Sequence, residues 1–125
     1  MSRRVRVELT ANFESNLDDL ESFLAEHDAE AAFAALVDEL LDTVVPNLER
    51  FPEIGADLLA RRAGSVRGAA RIEVLRARLG PSATVREYIM ADYVVLYAVR
   101  EERRWLLAIR HHRQLSYDLK AHWSR

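Results

Sequence analysis

Residues 93–99, which read YVVLYAV, decide the fold of this chain. They are nearly all apolar and rich in β-branched and aromatic side chains, which is typical of a central strand. Residues 101–103 (EER) predict a polar hairpin turn, and residues 105–109 (WLLAI) predict another apolar strand. On the other side, residues 86–90 predict a strand that reaches YVVLYAV through a tight turn at residues 91–92. The second half of the chain therefore predicts a three-stranded antiparallel meander.

The first half of the chain has mainly helical periodicity. Residues 5–9 (VRVEL) alternate apolar and polar side chains and predict a strand at one edge of the sheet. Two amphipathic helices follow, with Thr10 or Asn12 as the cap of the first and Asp28 as the N-cap of the second. Pro46 is expected to end or kink the second helix, because proline lacks an amide hydrogen. The apolar stripes are Phe13, Leu17, Leu20, Phe23 and Leu24 in the first helix, and Phe33, Leu36, Val37, Leu40, Leu41 and Val44 in the second.

The predicted fold is α+β, with residues 1–125 as a single domain. An antiparallel sheet of about four strands packs on the N-terminal helical hairpin, which covers one face of the sheet. A short C-terminal helix carries Leu115, Leu119 and Trp123, and another short helix is expected near residues 69–79. The second face of the sheet is left to a partner or to the C-terminal helix. The sequence of residues 56–85 does not indicate what role they have.

The composition excludes several classes of protein. Of the 125 residues, 50% are hydrophobic and 30% are charged, which is typical of a globular domain rather than a disordered chain. The absence of cysteine excludes disulfides, thiolate metal sites and a cysteine nucleophile. No apolar run approaches the roughly 20 residues of a membrane helix. Since residues 1–10 lack the apolar region of a secretory signal, we expect a cytoplasmic protein without a membrane partner.

The charge is divided unequally along the chain. Residues 8–57 contain fourteen acids and one base, whereas residues 58–125 contain fourteen bases and six acids. Such asymmetry indicates a surface for a charged partner, or two solvated faces of opposite sign.

Two motifs together resemble the RelE/ParE superfamily of bacterial type II toxins. Residues 47–55 (NLERFPEIG) are similar to the leucine, proline and glycine pattern that follows the second helix of the family. Residues 93–99 and 106–113 (LLAIRHHR) are similar to its two apolar strands, the second of which ends in Ile-x-His-x-Arg. His112 stands one place later than in that pattern. The resemblance implies the α+β fold predicted above and a toxin that is silent when bound by a cognate antitoxin.

The resemblance leaves two targets open. RelE-like members cut mRNA on the ribosome, and ParE-like members inhibit DNA gyrase. Val94 stands where the nucleases usually carry arginine, and Arg86 and Glu87 stand where they usually carry two lysines. The chain therefore resembles ParE more than RelE. The expected partners are an antitoxin, possible homo- or hetero-oligomers with it, and gyrase or the ribosome with its mRNA.

The candidate site residues combine cations with groups that exchange protons. RNA cleavage needs a base, an acid and positive charge near the phosphate, and a histidine with a pKa of about 6.5 suits proton transfer. Glu87 is a further proton carrier, and no cofactor or metal is expected, so a RelE-like activity would be metal-independent. Replacing Arg110, His112 or Arg113 with alanine is expected to abolish toxicity in a folded protein. The candidates are Arg86, Arg110, His111, His112, Arg113 and Tyr117.

The same residues also have structural interpretations. The two adjacent histidines could hydrogen-bond the C-terminal helix, and Arg110 and Arg113 could form ion pairs with Glu87, Asp92 or Asp118. Tyr93, Tyr97, Trp105 and Trp123 are expected in the core or at an interface.

Two rival functions belong to other classes. One is a basic nucleic-acid-binding module, disfavoured by the net charge of −2 and the lack of a recognition helix. The other is a non-toxic interaction protein, for which the acidic helical hairpin would suit a basic partner.

Overall fold

The secondary structure follows the predicted order with one additional strand. The computed structural model describes residues 5–57, 77–80 and 82–113. The helical elements are α1 (Ala11–Glu26), α2 (Glu30–Glu39), a π-helical segment (Leu40–Val44) and α3 (Val45–Arg50). The strands are β1 (Arg6–Leu9), β2 (Ala56–Asp57), β3 (Thr84–Ile89), β4 (Tyr93–Arg100) and β5 (Arg103–His111). Of the helix expected near residues 69–79, only residues 77–79 are described, and they are helical. The C-terminal helix lies outside the described residues.

The sheet confirms the predicted meander and the edge position of β1. Its strand order is β1-β5-β4-β3-β2, with β1 parallel to β5 and the other pairs antiparallel. The strand β4, which contains YVVLYAV, is central, and its first six residues are buried. The unpredicted strand is β2, whose two residues pair with Glu87 and Arg86 of β3. The α+β prediction is thus confirmed, with five strands instead of about four.

The turn between α1 and α2 differs from the prediction. Thr10 caps α1 as expected, since its hydroxyl accepts a hydrogen bond from the Phe13 amide. Asp28, however, does not cap α2, because Ala29 occupies that position without a side-chain hydrogen bond. Asp28 has a φ of +54°, a left-handed conformation that Asp tolerates better than most residues. Its amide donates to the Ala25 carbonyl, so Asp28 ends the first helix instead of starting the second.

Pro46 is accommodated by a wide helical turn. The backbone remains helical from α2 through the π-helical segment into α3, and the Val45 amide donates to the Leu40 carbonyl five residues earlier. The predicted kink at Pro46 is therefore a local change of helical period. Burial along this stretch also differs from the predicted stripe. Leu40 is 5% exposed, whereas Leu41 is 63% exposed. The prediction that Leu41 belongs to the buried apolar stripe is therefore wrong.

Both faces of the sheet are buried. The helix-facing core contains Phe13, Leu40, Tyr93, Val95 and Tyr97, and the hairpin covers this face as predicted. On the second face, a separate cluster is buried and Leu79 packs against it, so this face is not open. The cluster consists of Val85, Leu96, Ala98, Trp105, Leu107 and Ala108. No helix within the described ranges is long and apolar enough to cross a membrane.

Three polar side chains attach the start of α1 to the edge of β5. The Thr10 hydroxyl donates to the Leu106 carbonyl at 2.9 Å, and the Asn12 amide donates to the Leu107 carbonyl at 2.9 Å. The Asn16 side-chain oxygen accepts from the Ile109 amide at 3.0 Å. All three side chains are buried. The strand β1 pairs with the first part of β5, and these three side chains form hydrogen bonds along the part that follows.

Candidate functional site

A groove lies between the helical hairpin and one corner of the sheet. We call it the hairpin groove; its volume is about 760 Å³. The sheet corner is the point where β4 begins and β5 ends. The helical hairpin and the sheet corner both line the groove. The lining residues are Asn16, Asp19, Leu20, Phe23 and Leu24 of α1, Ala32 of α2, and Asp92, Tyr93, Ile109, His111 and Arg113 of the sheet corner.

Two of the six candidate residues, His111 and Arg113, line this groove. The His111 ring meets the Tyr93 ring edge-on, with 5.3 Å between their centroids. The Arg113 backbone amide donates to His111 Nδ1 at 3.1 Å, so in the neutral ring Nε2 carries the proton. Burial, and secondarily the Asp92 carboxylate, raise the pKa of Tyr93. The Tyr93 phenol therefore stays protonated at neutral pH and is a poor proton acceptor.

His112 stabilises the turn between β3 and β4. Since β5 ends at His111, the exposed His112 lies just beyond the strand. Its Nε2 donates to the Met90 carbonyl at 2.9 Å, and its backbone amide donates to the Asp92 carbonyl at 3.0 Å. These two bonds give His112 a structural role at the sheet corner.

Arg86 stabilises the turn formed by the FPEIG motif. Its guanidinium donates to the Gly55 carbonyl at 2.6 Å and lies 3.5 Å from the Glu53 carboxylate. From the same face of the sheet, the buried Tyr97 hydroxyl donates to the Pro52 carbonyl and accepts from the Gly55 amide. Burial is the main cause of a raised Tyr97 pKa, so the phenol remains a donor at neutral pH. The proline and glycine of the motif are therefore held by β3 and β4.

Arg110 lies on the opposite face of the sheet from His111. Its guanidinium is 3.9 Å from the Glu87 carboxylate, and the exposed fractions of the two side chains are 12% and 3%. The ion pair between Arg110 and Glu87, one of the alternatives that the sequence left open, is thus present.

The five candidates within the described residues do not converge on one point. Arg86 pairs with Tyr97 and His111 pairs with Tyr93, so Arg86 and His111 are about 13 Å apart along the strand direction. Arg110 is on the other face, and Tyr117 lies outside the described residues. No group of three or more His, Cys, Asp or Glu that could hold a metal occurs in the part of the chain that the structure describes. The groove itself offers an apolar floor with charged groups at its rim, which suits binding.

The sequence did not predict that residues of α1 line the groove. The apolar residues of α1 were all expected to face the core, but Phe23 is 55% exposed at the groove. A signal was present in Asn12 and Asn16, two amides one helical turn apart on the side of Phe13. Such a pair within a buried stripe indicates specific backbone partners, here on β5.

We expect Arg110→Ala to lower stability, which complicates its use as a toxicity test. The substitution removes a positive charge beside the buried Glu87 carboxylate, and the free energy of unfolding should fall by about 1–3 kcal/mol. Arg110→Ala combined with Glu87→Gln should recover part of this loss, which urea unfolding of both variants would measure. Equal unfolding midpoints for wild type and Arg110→Ala would show that the pair contributes nothing.

The fold and the sequence motifs now define the class of the protein. A mostly antiparallel sheet covered by an N-terminal helical hairpin is consistent with the RelE/ParE superfamily of type II toxins. More narrowly, the family model described as "ParE toxin of type II toxin-antitoxin system, parDE" matches residues 7–116, and the chain belongs to this family. A search of curated proteins found no match. Membership of the family implies a cognate antitoxin as partner.

Proposed function

We propose that this toxin inhibits growth by acting on DNA gyrase and is neutralised by its cognate antitoxin. Membership of the ParE family supports a gyrase target. The observation that carries the proposal is the dispersal of the candidate cations. Arg86 bonds to the FPEIG turn and Arg110 lies beside Glu87, so neither shares a site with His111. A protein that inhibits by binding needs no assembled acid, base and phosphate-binding cation.

The alternative is cleavage of mRNA on the ribosome. It is favoured by the hairpin groove, where His111 could transfer a proton and Arg113 could bind phosphate. Against it stands the acidic hairpin, since residues 8–57 carry fourteen acids that would repel RNA.

Pulse labelling after induced expression in a bacterial host tests the proposal. Thymidine incorporation should fall before amino-acid incorporation, and purified toxin should inhibit supercoiling by purified gyrase. His111→Ala and Arg113→Ala should weaken that inhibition about tenfold if the groove rim contacts the target, the loss typical of a well-buried interface residue. Arg50→Ala is the matched control, because Arg50 is exposed at the end of α3, and it should inhibit like wild type.

Three results would contradict the proposal. Earlier loss of amino-acid incorporation, together with mRNA cleavage that His111→Ala abolishes, would establish the ribosomal alternative. Normal labelling of both precursors would favour a non-toxic interaction protein. Growth inhibition that persists when a co-expressed neighbouring gene product is bound to the toxin would refute neutralisation by an antitoxin.

A further inference from the structure

The strand β1 has an outer edge that a further strand could extend. It stands at the end of the sheet order, so none of the described strands pairs with its outer side. The Arg6 amide donates to the Glu102 carbonyl of the β4–β5 turn at 3.0 Å. Since every second residue of a strand directs its backbone groups to the same neighbour, those of Val5, Val7 and Leu9 point away from β5. Such a row of outward backbone groups is a template for another chain.

The sequence along this edge is complementary to itself. Residues 5–9 read VRVEL. Two antiparallel copies form hydrogen bonds only where outward residues lie opposite each other. With Val7 opposite Val7 of the second copy, each Arg6 lies opposite Glu8 of the other chain. Sliding one copy by two residues in either direction would place Arg6 opposite Arg6 or Glu8 opposite Glu8, and like charges directly opposite are destabilising. One register therefore joins opposite charges.

The charges around Arg6 favour this register. Arg6 is exposed, and its cross-strand neighbour in β5 is another arginine, Arg103. The Arg103 guanidinium donates to Glu8 Oε2 at 2.7 and 3.2 Å. An ionised carboxylate has about four acceptor sites, so Glu8 can bind Arg103 of its own chain and Arg6 of a second copy. The two residues would form a non-hydrogen-bonded pair, in which the Cα atoms are about 4.5 Å apart and the side chains are close.

The other face of the edge is apolar. Val7 packs against the helix-facing core, and Leu9 is 38% exposed. In the same register Leu9 lies opposite the half-buried Val5 of the second copy. Because the pairing is symmetric, this contact forms twice and covers both Leu9 side chains.

We propose that this edge is a dimer interface, in which β1 pairs antiparallel with β1 of a second copy about Val7. The two five-stranded sheets then form one continuous sheet, and Arg6 of each chain binds Glu8 of the other. A second copy supplies glutamate opposite Arg6 and arginine opposite Glu8 without a further partner, which favours it over a strand of another protein. The inference does not depend on the gyrase target.

Sedimentation velocity of the purified full chain tests the interface. Between about 1 µM and 1 mM the wild type should pass from monomer to dimer. Arg6→Glu places two glutamates opposite each other at both ends of the interface, and it should raise the dimer dissociation constant about tenfold. The variant should keep the circular dichroism of the wild type, since Arg6 is exposed and lies beside Arg103. Arg50→Glu is the matched control, because it makes the same charge change at an exposed site on α3 and should leave the constant unchanged.

Exchanging the two charges tests the register. Arg6→Glu combined with Glu8→Arg again places a glutamate opposite an arginine at both ends of the interface. The dissociation constant of this double variant should return to within about threefold of the wild-type value, because the two substitutions are coupled.

Three outcomes would overturn the inference: a wild type that stays monomeric throughout the concentration range, equal effects of Arg6→Glu and Arg50→Glu, or a folded double variant that dimerises no better than Arg6→Glu. A toxin that fails to inhibit gyrase but dimerises through Arg6 and Glu8 would refute the proposed target and leave this inference standing.

Discussion

Replacing Gly55 with alanine is expected to lower the free energy of unfolding by about 3 kcal/mol or more, a loss typical of severe overpacking. A Cβ atom at this position would overlap the Glu87 backbone oxygen and lie 2.8 Å from both Cε1 and the hydroxyl oxygen of Tyr97. Since Tyr97 is fully buried in the centre of the sheet, neither neighbour can move away at low cost. The melting temperature should fall by about 10 °C for a domain of this size.

The direction of the effect makes this test informative. At an unhindered position, Gly→Ala stabilises a protein by about 0.4–1 kcal/mol, because alanine restricts the unfolded chain. Ile54→Ala is a control in the same turn, since Ile54 is 49% exposed, and it should change stability by no more than about 0.5 kcal/mol. An unchanged or raised melting temperature for Gly55→Ala would show that the turn is not packed against β3 and β4 in this way.

Leu40→Asp should prevent folding, whereas Leu41→Asp should leave the domain folded. Leu40 is 5% exposed in the helix-facing core, so aspartate there would replace an apolar contact with a buried carboxylate. We expect a loss of about 5 kcal/mol, which is comparable with the whole stability of a small domain. Leu41 is 63% exposed, and the same substitution should cost about 0.5 kcal/mol or less.

Circular dichroism and urea unfolding of the two variants would measure this difference. The pair also tests which side of the helix faces the core, because the sequence alone puts both leucines in one apolar stripe. A folded Leu40→Asp variant, or equal losses from the two substitutions, would mean that Leu40 does not face the core.

The sequence predicted those elements whose signal is local and long. The strand β4 was recognisable because seven successive residues, 93–99, have the composition of a buried strand, and α1 because Thr10 and the helical spacing agree. The strand β2 was missed because two residues show no periodicity, and its pairing with β3 is a long-range contact. Leu41 is adjacent to Leu40 and therefore lies about 100° away around the helix, so it is exposed while Leu36, Leu40 and Val44 face the core.

The site was harder to predict than the fold, because its geometry depends on contacts between distant segments. His111 and Arg113 could be recognised as chemically capable residues, but their neighbours from α1 lie about 90 residues earlier in the chain. The sequence offered three acids as possible partners of Arg110. Strand pairing, which includes an irregularity at Leu96 and Tyr97, places Glu87 beside Arg110. Asp28 satisfied the composition rule for an N-cap, but the preceding helix ends in a left-handed residue at that position.

The pairing of β1 with β5 has a consequence for synthesis of the protein. Thr10 bonds to Leu106, a partner 96 residues later in the chain, and Asn16 bonds to Ile109. Contacts of such sequence separation form late in folding, because the intervening chain must be closed into a loop first. While the ribosome is still adding residues before β5, the nascent chain therefore lacks both the closed sheet and the corner that holds His111. The sheet corner is complete only when β5 has left the ribosome, so a chain that ends before β5 should not be toxic.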